Sequence, residues 1–553
     1  MIKNKLTNIL SLLLIIFVVG YYGKFIIMAN ADLSQGRYAL YMDEHITFDG
    51  VKNILHPHGV NKFIENVIDG GDHRYGRILW NVSAVASFIP ELIFKAKGQI
   101  IATRMVLALA LIAAYLILVF GQIRNWFLRF ILFLFLMSMP TTSYYMTMPK
   151  PEPLQLLFLS LFLLCARKEK FNFGRYWIFL GLAFGAKISV LFLIPFFMII
   201  GFWLYYRNDS YFRNNIKQAF IYLGLGFLIS EPIFLMIIKR FSLKFIKVYL
   251  KWTFLSTGHG SDDSAVTWMD WFKHLVNINY SNIPLFFTKI TCWLVFILVV
   301  SGLVVIFRSW MGKNKLADSN CNELGASYVL FFSGLILIIP VMFLVKRVWP
   351  NYLNNGFAVF FVAVFSIGES FYVCKKSRLR FLGLLVFYLT VLLLIIEALF
   401  FLVPLSSREY LKFANRSKDQ NFIEKKEEID AISVFLEDAS KKLGRTLQVY
   451  YDSNILLLDS NKYYNIIPIY GPFFHWDEGK DMVVSYKKSI EGPLPAKTSA
   501  LYEDLVKVHD SLSQHVTEIG NTCSLGTCYV IYPFSLEKLR IYVRADLLDK
   551  IKN

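Results

Sequence analysis

Charged residues are scarce in this chain. Asp, Glu, Lys and Arg make up 18% of its 553 residues, where a soluble domain carries about a quarter. The shortfall is concentrated in repeated apolar runs, which argues against a large soluble enzyme and for a polytopic membrane protein. Acidic residues are the scarcer sign, 40 against 58 basic, giving a formal net charge of +18. The basic excess forms no Lys/Arg-rich tract with interleaved aromatics, so nucleic acid is not an expected partner. No internal repeat is evident either, which weakens a transporter built from repeated halves.

The N-terminal run MIKNKLTNILSLLLIIFVVGYYGKFIIM has no A-x-A-like cleavage site close behind it. It reads as a retained first span with Lys3 and Lys5 on the cytoplasmic side. Cysteine is sparse, six in all, and Cys165, Cys292, Cys321 and Cys374 are not spaced like metal ligands. Cys523 and Cys528 lie in CSLGTC in the tail. In an extracytoplasmic tail these two can form a small disulfide; two free thiols are the other reading, since sequence does not fix connectivity.

Basic clusters set the expected topology. They are Arg124 and Arg129; Arg167, Lys168, Lys170 and Arg175; Arg207, Arg213 and Lys217; Arg308, Lys313 and Lys315; and Lys375, Lys376, Arg378 and Arg380. With all of them cytoplasmic, the spans between must come in pairs. Runs at 99–120, 126–147, 153–167, 216–238, 284–307, 325–345, 351–373 and 380–404 supply most of them. The segment 172–206 is basic at both ends, and about 35 residues of helix reach about 52 Å. It is expected to be a hairpin with its apex near Lys187 rather than one long tilted helix. The sum is about eleven transmembrane helices, N-terminus in and C-terminus out.

Two regions then lie outside the membrane, the first outer loop 29–98 and the tail. In the loop, RILWNVSAVASFIPELIFKAKG is apolar but interrupted by Asn81, Ser83, Ser87, Pro90 and Glu91. It reads as a helix lying at the interface. From 405 to 553 the composition turns polar, with helical patterns FIEKKEEIDAISVFLEDASKKLG and TSALYEDLVKVHDSLSQHV alternating with strand candidates TLQVYYD, MVVSY and CYVIYPF. That alternation predicts a small C-terminal extracytoplasmic α/β domain after a transmembrane module of residues 1–404.

The residues able to do chemistry cluster at the expected outer ends of spans. In YMDEHITFDG, Phe48, Val51 and Leu55 form one face of a helix starting near Glu44 and lying on the outer leaflet; His45, Asp49 and Lys52 fall opposite. Asp43 is either the helix cap or a general base just above the hydrocarbon, with Glu44 beside it. In GGDHRYGRILW, Arg74 and Arg77 are candidates to hold a phosphate. In MPKPEP, three prolines are expected to prevent a helix and to fix Lys150 and Glu152 in an extended turn. Lys187 stands among small residues in an apolar run, and an intramembrane Lys is a functional candidate by default. Lys346, Arg347 and Tyr352 fall in a second outer turn, where cations run against the positive-inside trend and suit an anionic lipid headgroup.

Taken in order, an acidic pair in the first outer loop, a loop helix, a Pro-Glu turn after the third span, GLAFGAKISVLFLIPFF and KRVWPNYL resemble the GT-C superfamily of polyprenyl-phosphate-sugar-dependent glycosyltransferases. The resemblance is to the branch of protein O-mannosyltransferases and the lipid A aminoarabinose transferase, and it spans residues 1–405. It implies that Asp43 is the catalytic carboxylate with Glu44 and Glu152 in support. It also implies that Lys187 and Arg347 lie near the donor phosphate; Arg74, Lys150, Lys346 and Tyr352, read from the residues themselves, are the further candidates to bind it. The expected function is transfer of a sugar from a polyprenyl-phosphate donor to a glycan, lipid or protein acceptor, by inverting displacement. The expected place is a bacterial inner membrane, with the site on the periplasmic face. No metal motif stands beyond the acidic pair, and a divalent metal there stays open. Two rivals are an oligosaccharyltransferase, on the faint signal of HWDEGKD around Trp476, and a lipid-linked glycan flippase or transporter.

Overall fold

The computed structural model describes residues 2–31, 44–57, 59–69, 76–205, 209–232, 285–311, 319–344, 353–373, 378–415, 420–452, 461–469, 481–486, 521–524, 527–531 and 539–552. The helix TSALYEDLVKVHDSLSQHV and Trp476 lie outside them. Two compact units make up the chain. One comprises Met1–Ala31, Ile46–His259 and Val266–Ala414; the other comprises Asp32–His45, Gly260–Ala265 and Asn415–Asn553.

Among its described residues the first unit is built of helices and their connections. Its helices are α1 (Ile2–Ala31), α2 (Glu44–Leu55), α3 (Val60–Asp69), α4 (Ile78–Gln122), α5 (Trp126–Ser138), α6 (Pro140–Thr147), α7 (Glu152–Lys168), α8 (Trp177–Ala186), α9 (Leu193–Tyr205) and α10 (Asp209–Ser230). After them come α11 (Leu285–Met311), α12 (Ser319–Leu344), α13 (Asn354–Val373), α14 (Arg378–Glu397) and α15 (Val403–Ala414). The first two residues of α2, Glu44 and His45, are grouped with the second unit.

Polar contacts gather the helix termini at two ends. At one end, Ser11 of α1 donates to Trp126 O, and Arg167 of α7 donates to Gln122 O at 2.8 Å. There too Glu369 of α13 accepts from Arg124 N at 2.8 Å, and Arg124 pairs with Glu323 of α12. At the other end, Asn30 of α1 donates to Met146 O at 3.0 Å, Glu152 opens α7, Lys187 follows α8, and Asn355 lies in the first turn of α13. Arg124 and Arg167, assigned to one side on charge alone, thus share Glu323 as a partner.

Close backbone packing sets the direction of α8 and α10. A Cβ on Gly226 would strike Ile178 O, and one on Gly181 would strike Leu223 O. Ser230 donates to Leu182 O at 2.8 Å, so the pairs 178 with 226 and 182 with 230 advance together and the two helices run parallel. The return path is α9. Lys187 is extended (φ −158°, ψ 135°) and breaks the helix, and a 3-10 turn, Ile188–Phe192, leads into α9. Phe173 contacts both Trp177 at the start of α8 and Phe202 near the end of α9, so the two arms come back to one end.

The loop helix departs from its expected placement. It forms the first arm of α4, which folds back at Lys95, a residue at φ 54°. Ser87 donates to Gln99 O and lies 3.1 Å from the Thr103 hydroxyl, and Gly98 sits against Pro90 O where no Cβ fits. The segment therefore runs alongside the helix that follows it. The polar residue Ser87, taken for an interfacial signal, meets its helical neighbour instead.

Among the described residues, five helices are long and apolar enough to cross a membrane, or six if the α5–α6 pair, bent by 67°, counts as one span. Large apolar side chains such as Phe17, Val85 and Leu92 stand exposed on them, as lipid contact requires. The protein is a helical membrane protein. The α8 helix has ten residues, about 15 Å of helix or half a hydrocarbon core, and does not cross by itself. The helices α11 and α12 are 27 and 26 residues long, the length a crossing needs.

The second unit contains α16 (Gln420–Leu443), the strands β1 (Leu447–Asp452), β2 (Tyr464–Ile469), β3 (Met482–Tyr486), β4 (Asn521–Ser524), β5 (Thr527–Ile531) and β6 (Leu539–Arg544), and α17 (Ala545–Lys552). The sheet order is β2-β1-β3-β6-β5-β4, with β1 parallel to β2 and β3 and the other pairs antiparallel. Alternate residues Leu447, Val449, Met482, Val484, Ile541 and Val543 form a core with Ile429, Ile432 and Leu436 of α16 and Leu547 of α17. Cys523 and Cys528 are register partners across the β4–β5 hairpin. Asp481 is the polar lock of this unit. It accepts from Arg445 at 2.6 and 2.8 Å and from Gln448 N at 2.8 Å while 1% exposed. Its hydrogen bonds hold the Arg445 guanidinium above its ordinary pKa.

Two stability tests follow from this packing. Gly226→Ala puts a methyl group on Ile178 O and is expected to cost about 1–3 kcal/mol. Gly224→Ala meets nothing within 4 Å and is expected to be neutral or to stabilise by up to about 1 kcal/mol; thermal unfolding in detergent distinguishes the two. Asp481→Ala strands the Gln448 N–H and is expected to destabilise the α/β unit by about 1–3 kcal/mol. Urea titration followed by limited proteolysis of the tail measures it.

Candidate functional site

The MPKPEP turn becomes helix sooner than its prolines suggest. Pro151 takes the cap position and Pro153 lies in the first turn of α7, where a missing N–H costs nothing. Glu152 is therefore the first residue of α7, not part of an extended turn. It is 3% exposed, and its Oε1 accepts from Lys187 Nζ. The Lys187 side chain is 17% exposed. Small residues Gly185 and Ala186 before it let the chain pack closely against Ser230 and Gly76. Lys150, two residues ahead of Glu152, is also buried.

A polar network surrounds this ion pair. Gln155, one turn further along α7, donates to Lys187 O at 2.6 Å and to Ser189 Oγ at 3.0 Å. From α13, Asn355 Nδ2 donates to Glu152 O at 3.1 Å and to Gln155 Oε1 at 3.0 Å. Three separate stretches of chain thus meet at one carboxylate in an apolar unit. Burial on this scale requires the charges to be paired.

Beside the network, Glu231 follows the end of α10, 2% exposed, and accepts from Arg77 N at 3.2 Å. The Arg77 guanidinium lies 4.7 Å over the Trp80 ring and donates to Asn66 O. Arg77, a phosphate candidate by sequence, instead bolts α3, α4 and the end of α10 together. Gly76 N donates to Ala186 O at 3.1 Å and completes that seam.

The apolar face of α2 also turns toward protein rather than lipid. Phe48 and Val51 are fully buried, Gln99 donates to Phe48 O at 2.9 Å, and Arg104 lies 5.9 Å over the Phe48 ring. Thr47 donates to Pro149 O at 3.2 Å, tying α2 to the turn that carries Lys150 and Glu152. Glu44 is fully buried.

Of the site residues read from sequence, Glu152, Lys187 and Lys150 therefore share one neighbourhood. Asp43, Arg74, Lys346, Arg347 and Tyr352 lie outside the described residues. Gln155, Asn355 and Glu231 were not read from sequence. A signal existed for Glu231, an acid at the end of the apolar run IYLGLGFLISEPIF. Among the described residues, no group of three or more His, Cys, Asp or Glu side chains is placed to hold a metal ion. The arrangement gathers an ion pair and a second cationic side chain in a largely water-excluded place, the conditions under which fixed charges act most strongly.

Comparison with protein-family models finds none that matches the chain, and comparison with curated proteins finds no match.

Removing one charge of the pair is the direct test of its weight. Lys187→Ala leaves the Glu152 carboxylate buried without its cation and is expected to cost about 3–5 kcal/mol. The double variant Glu152→Leu/Lys187→Met is expected to recover most of that loss. Thermal unfolding of the detergent-solubilised protein reads both.

Proposed function

We propose that the chain is an integral-membrane glycosyltransferase of the GT-C kind, moving a sugar from a polyprenyl-phosphate donor to an extracytoplasmic acceptor. The observation that carries this reading is the buried Glu152–Lys187 pair, with Lys150 beside it, at the end of the helical unit opposite Arg124 and Arg167. An acid-and-cation site at the end opposite the basic clusters is what transfer outside the cytoplasm needs.

The finer topology belongs to the same proposal. About eleven crossings, N-terminus in, with the α/β unit extracytoplasmic, agree with the directions of α1, α7, α8, α10 and α13 between the two ends. The setting is a bacterial inner membrane, with the site on the periplasmic side. From Arg167 to Glu152, α7 rises about 22 Å, and α13 covers about 21 Å between Glu369 and Asn355. Both are less than the hydrocarbon thickness of about 30 Å, which supports a site recessed from the outer surface. A lipid-linked phosphate reaches such a depth with its chain still in the bilayer.

In the reaction, the acceptor hydroxyl attacks the anomeric carbon and its proton passes to Asp43. The bond from the anomeric carbon to the phosphate oxygen breaks, and its electron pair leaves on the polyprenyl phosphate. Lys150 and Lys187, with Arg74, Lys346, Arg347 and Tyr352, stabilise that charge as it develops. Glu152 holds Lys187 in place, and Glu44 supports Asp43. A single displacement inverts the anomeric centre.

The full chain in vesicles carrying radiolabelled undecaprenyl-phosphate sugars tests the proposal. Wild-type protein is expected to release undecaprenyl phosphate and label an acceptor. Asp43→Asn is expected to lose at least a thousandfold in rate at unchanged thermal stability. An Asn variant that is well folded and active would remove Asp43 from the role.

A further inference from the structure

The network around Glu152 uses its donors and leaves acceptors over. Lys187 Nζ donates to Glu152 Oε1; Gln155 Nε2 donates to Lys187 O and Ser189 Oγ; Asn355 Nδ2 donates to Glu152 O and Gln155 Oε1. Ser189 Oγ donates back to Gln155 Oε1 at 3.2 Å. Two side-chain oxygens of this network, Glu152 Oε2 and Asn355 Oδ1, have no hydrogen-bond partner among the described residues. Both residues are more than nine-tenths buried, at 3% and 5% exposed. A buried acceptor without a partner costs about 1–3 kcal/mol, and more for a charged group. Two on adjoining residues are best explained by a group that binds there and brings donors.

The charge balance narrows that group. Lys187 already neutralises Glu152. A cationic ligand finds no spare negative charge in this network, whereas hydroxyl groups supply donors without charge. The backbone also links the two oxygens, because Asn355 Nδ2 is fixed on Glu152 O. Two unpartnered acceptors call for two donors, which neighbouring hydroxyls of one ring supply.

We propose that Glu152 Oε2 and Asn355 Oδ1 are a sugar-reading pair, accepting hydrogen bonds from hydroxyls of the donor's neutral sugar ring, while the lysines face its phosphate. The inference rests on the transferase reading for the identity of the donor. It assigns specificity to α7 and α13 rather than to the loop that carries Asp43.

Binding to the full-length protein in detergent tests it without requiring turnover. The probes are decaprenyl phosphate and its glucose, mannose, galactose and arabinose derivatives, with singly deoxygenated forms of whichever binds best. At least one sugar-bearing lipid is expected to bind wild type tenfold or more tighter than decaprenyl phosphate. Removing one hydroxyl is expected to erase most of that increment. Asn355→Leu is expected to shrink the increment while decaprenyl phosphate binds as before; Asn355→Asp, which keeps an acceptor, is expected to retain more of it. Should the variants fail to fold, the deoxygenated lipids on wild type decide alone. Equal binding of bare and sugar-bearing lipids would overturn the sugar-reading pair and leave the transferase reading standing. So would a preference indifferent to every single deoxygenation. Binding of none of the lipids would overturn both. A structure of the bound complex with only water on these two oxygens would overturn the pair.

Discussion

A lysine and a glutamate can sit inside an apolar helical unit only together. Each alone carries a desolvation cost of several kcal/mol that nothing but an opposite charge offsets. Much of the local architecture follows from meeting that condition at Glu152 and Lys187. The helix before Lys187 must end so that the lysine can turn to its partner, and α7 must begin at Glu152 so that the acid is present at the same level. Asn355 then has Glu152 O to bind, which seats the start of α13 on α7.

The opposite end of the unit is also joined by charge, at residues more open to solvent. There Arg124, Arg167, Glu323 and Glu369 join four helices through charge and backbone contacts. Between the two ends, glycines rather than polar groups govern association, as at Gly181 and Gly226, because apolar side chains gain little from one another when lipid is the alternative. A reaction that expels a phosphate needs cations in a site poor in water. In this chain such cations are held where the pairing of Glu152 with Lys187 allows, and the proposed chemistry inherits its location from that pairing.

Some of this was legible in the sequence. Lys187 stood out as a charge in an apolar run, and the helix break there could be read from GLAFGAKISV. The strands TLQVYYD, MVVSY and CYVIYPF and the helix FIEKKEEIDAISVFLEDASKKLG stand out by local pattern, and all four contain elements of the second unit. Tertiary facts were not legible. The polar interruptions in RILWNVSAVASFIP look the same whether they meet headgroups or a neighbouring helix, and only the fold-back at Lys95 decides between them. Gln155 and Asn355 are ordinary residues near helix starts until Glu152 lies between them. The helix after 380 also runs on, through a π-helical turn at Ala398–Leu402, to Ala414, past the end expected at 404, because composition fades gradually where packing does not.

Mass spectrometry of cell-envelope glycans, from cells with and without this protein, tests the central claim of sugar transfer most directly. A glycoconjugate lighter by one sugar residue in the cells lacking it, restored by the wild-type chain, is the expected result. Identical glycan profiles, with donor lipid neither accumulating nor consumed, would contradict it.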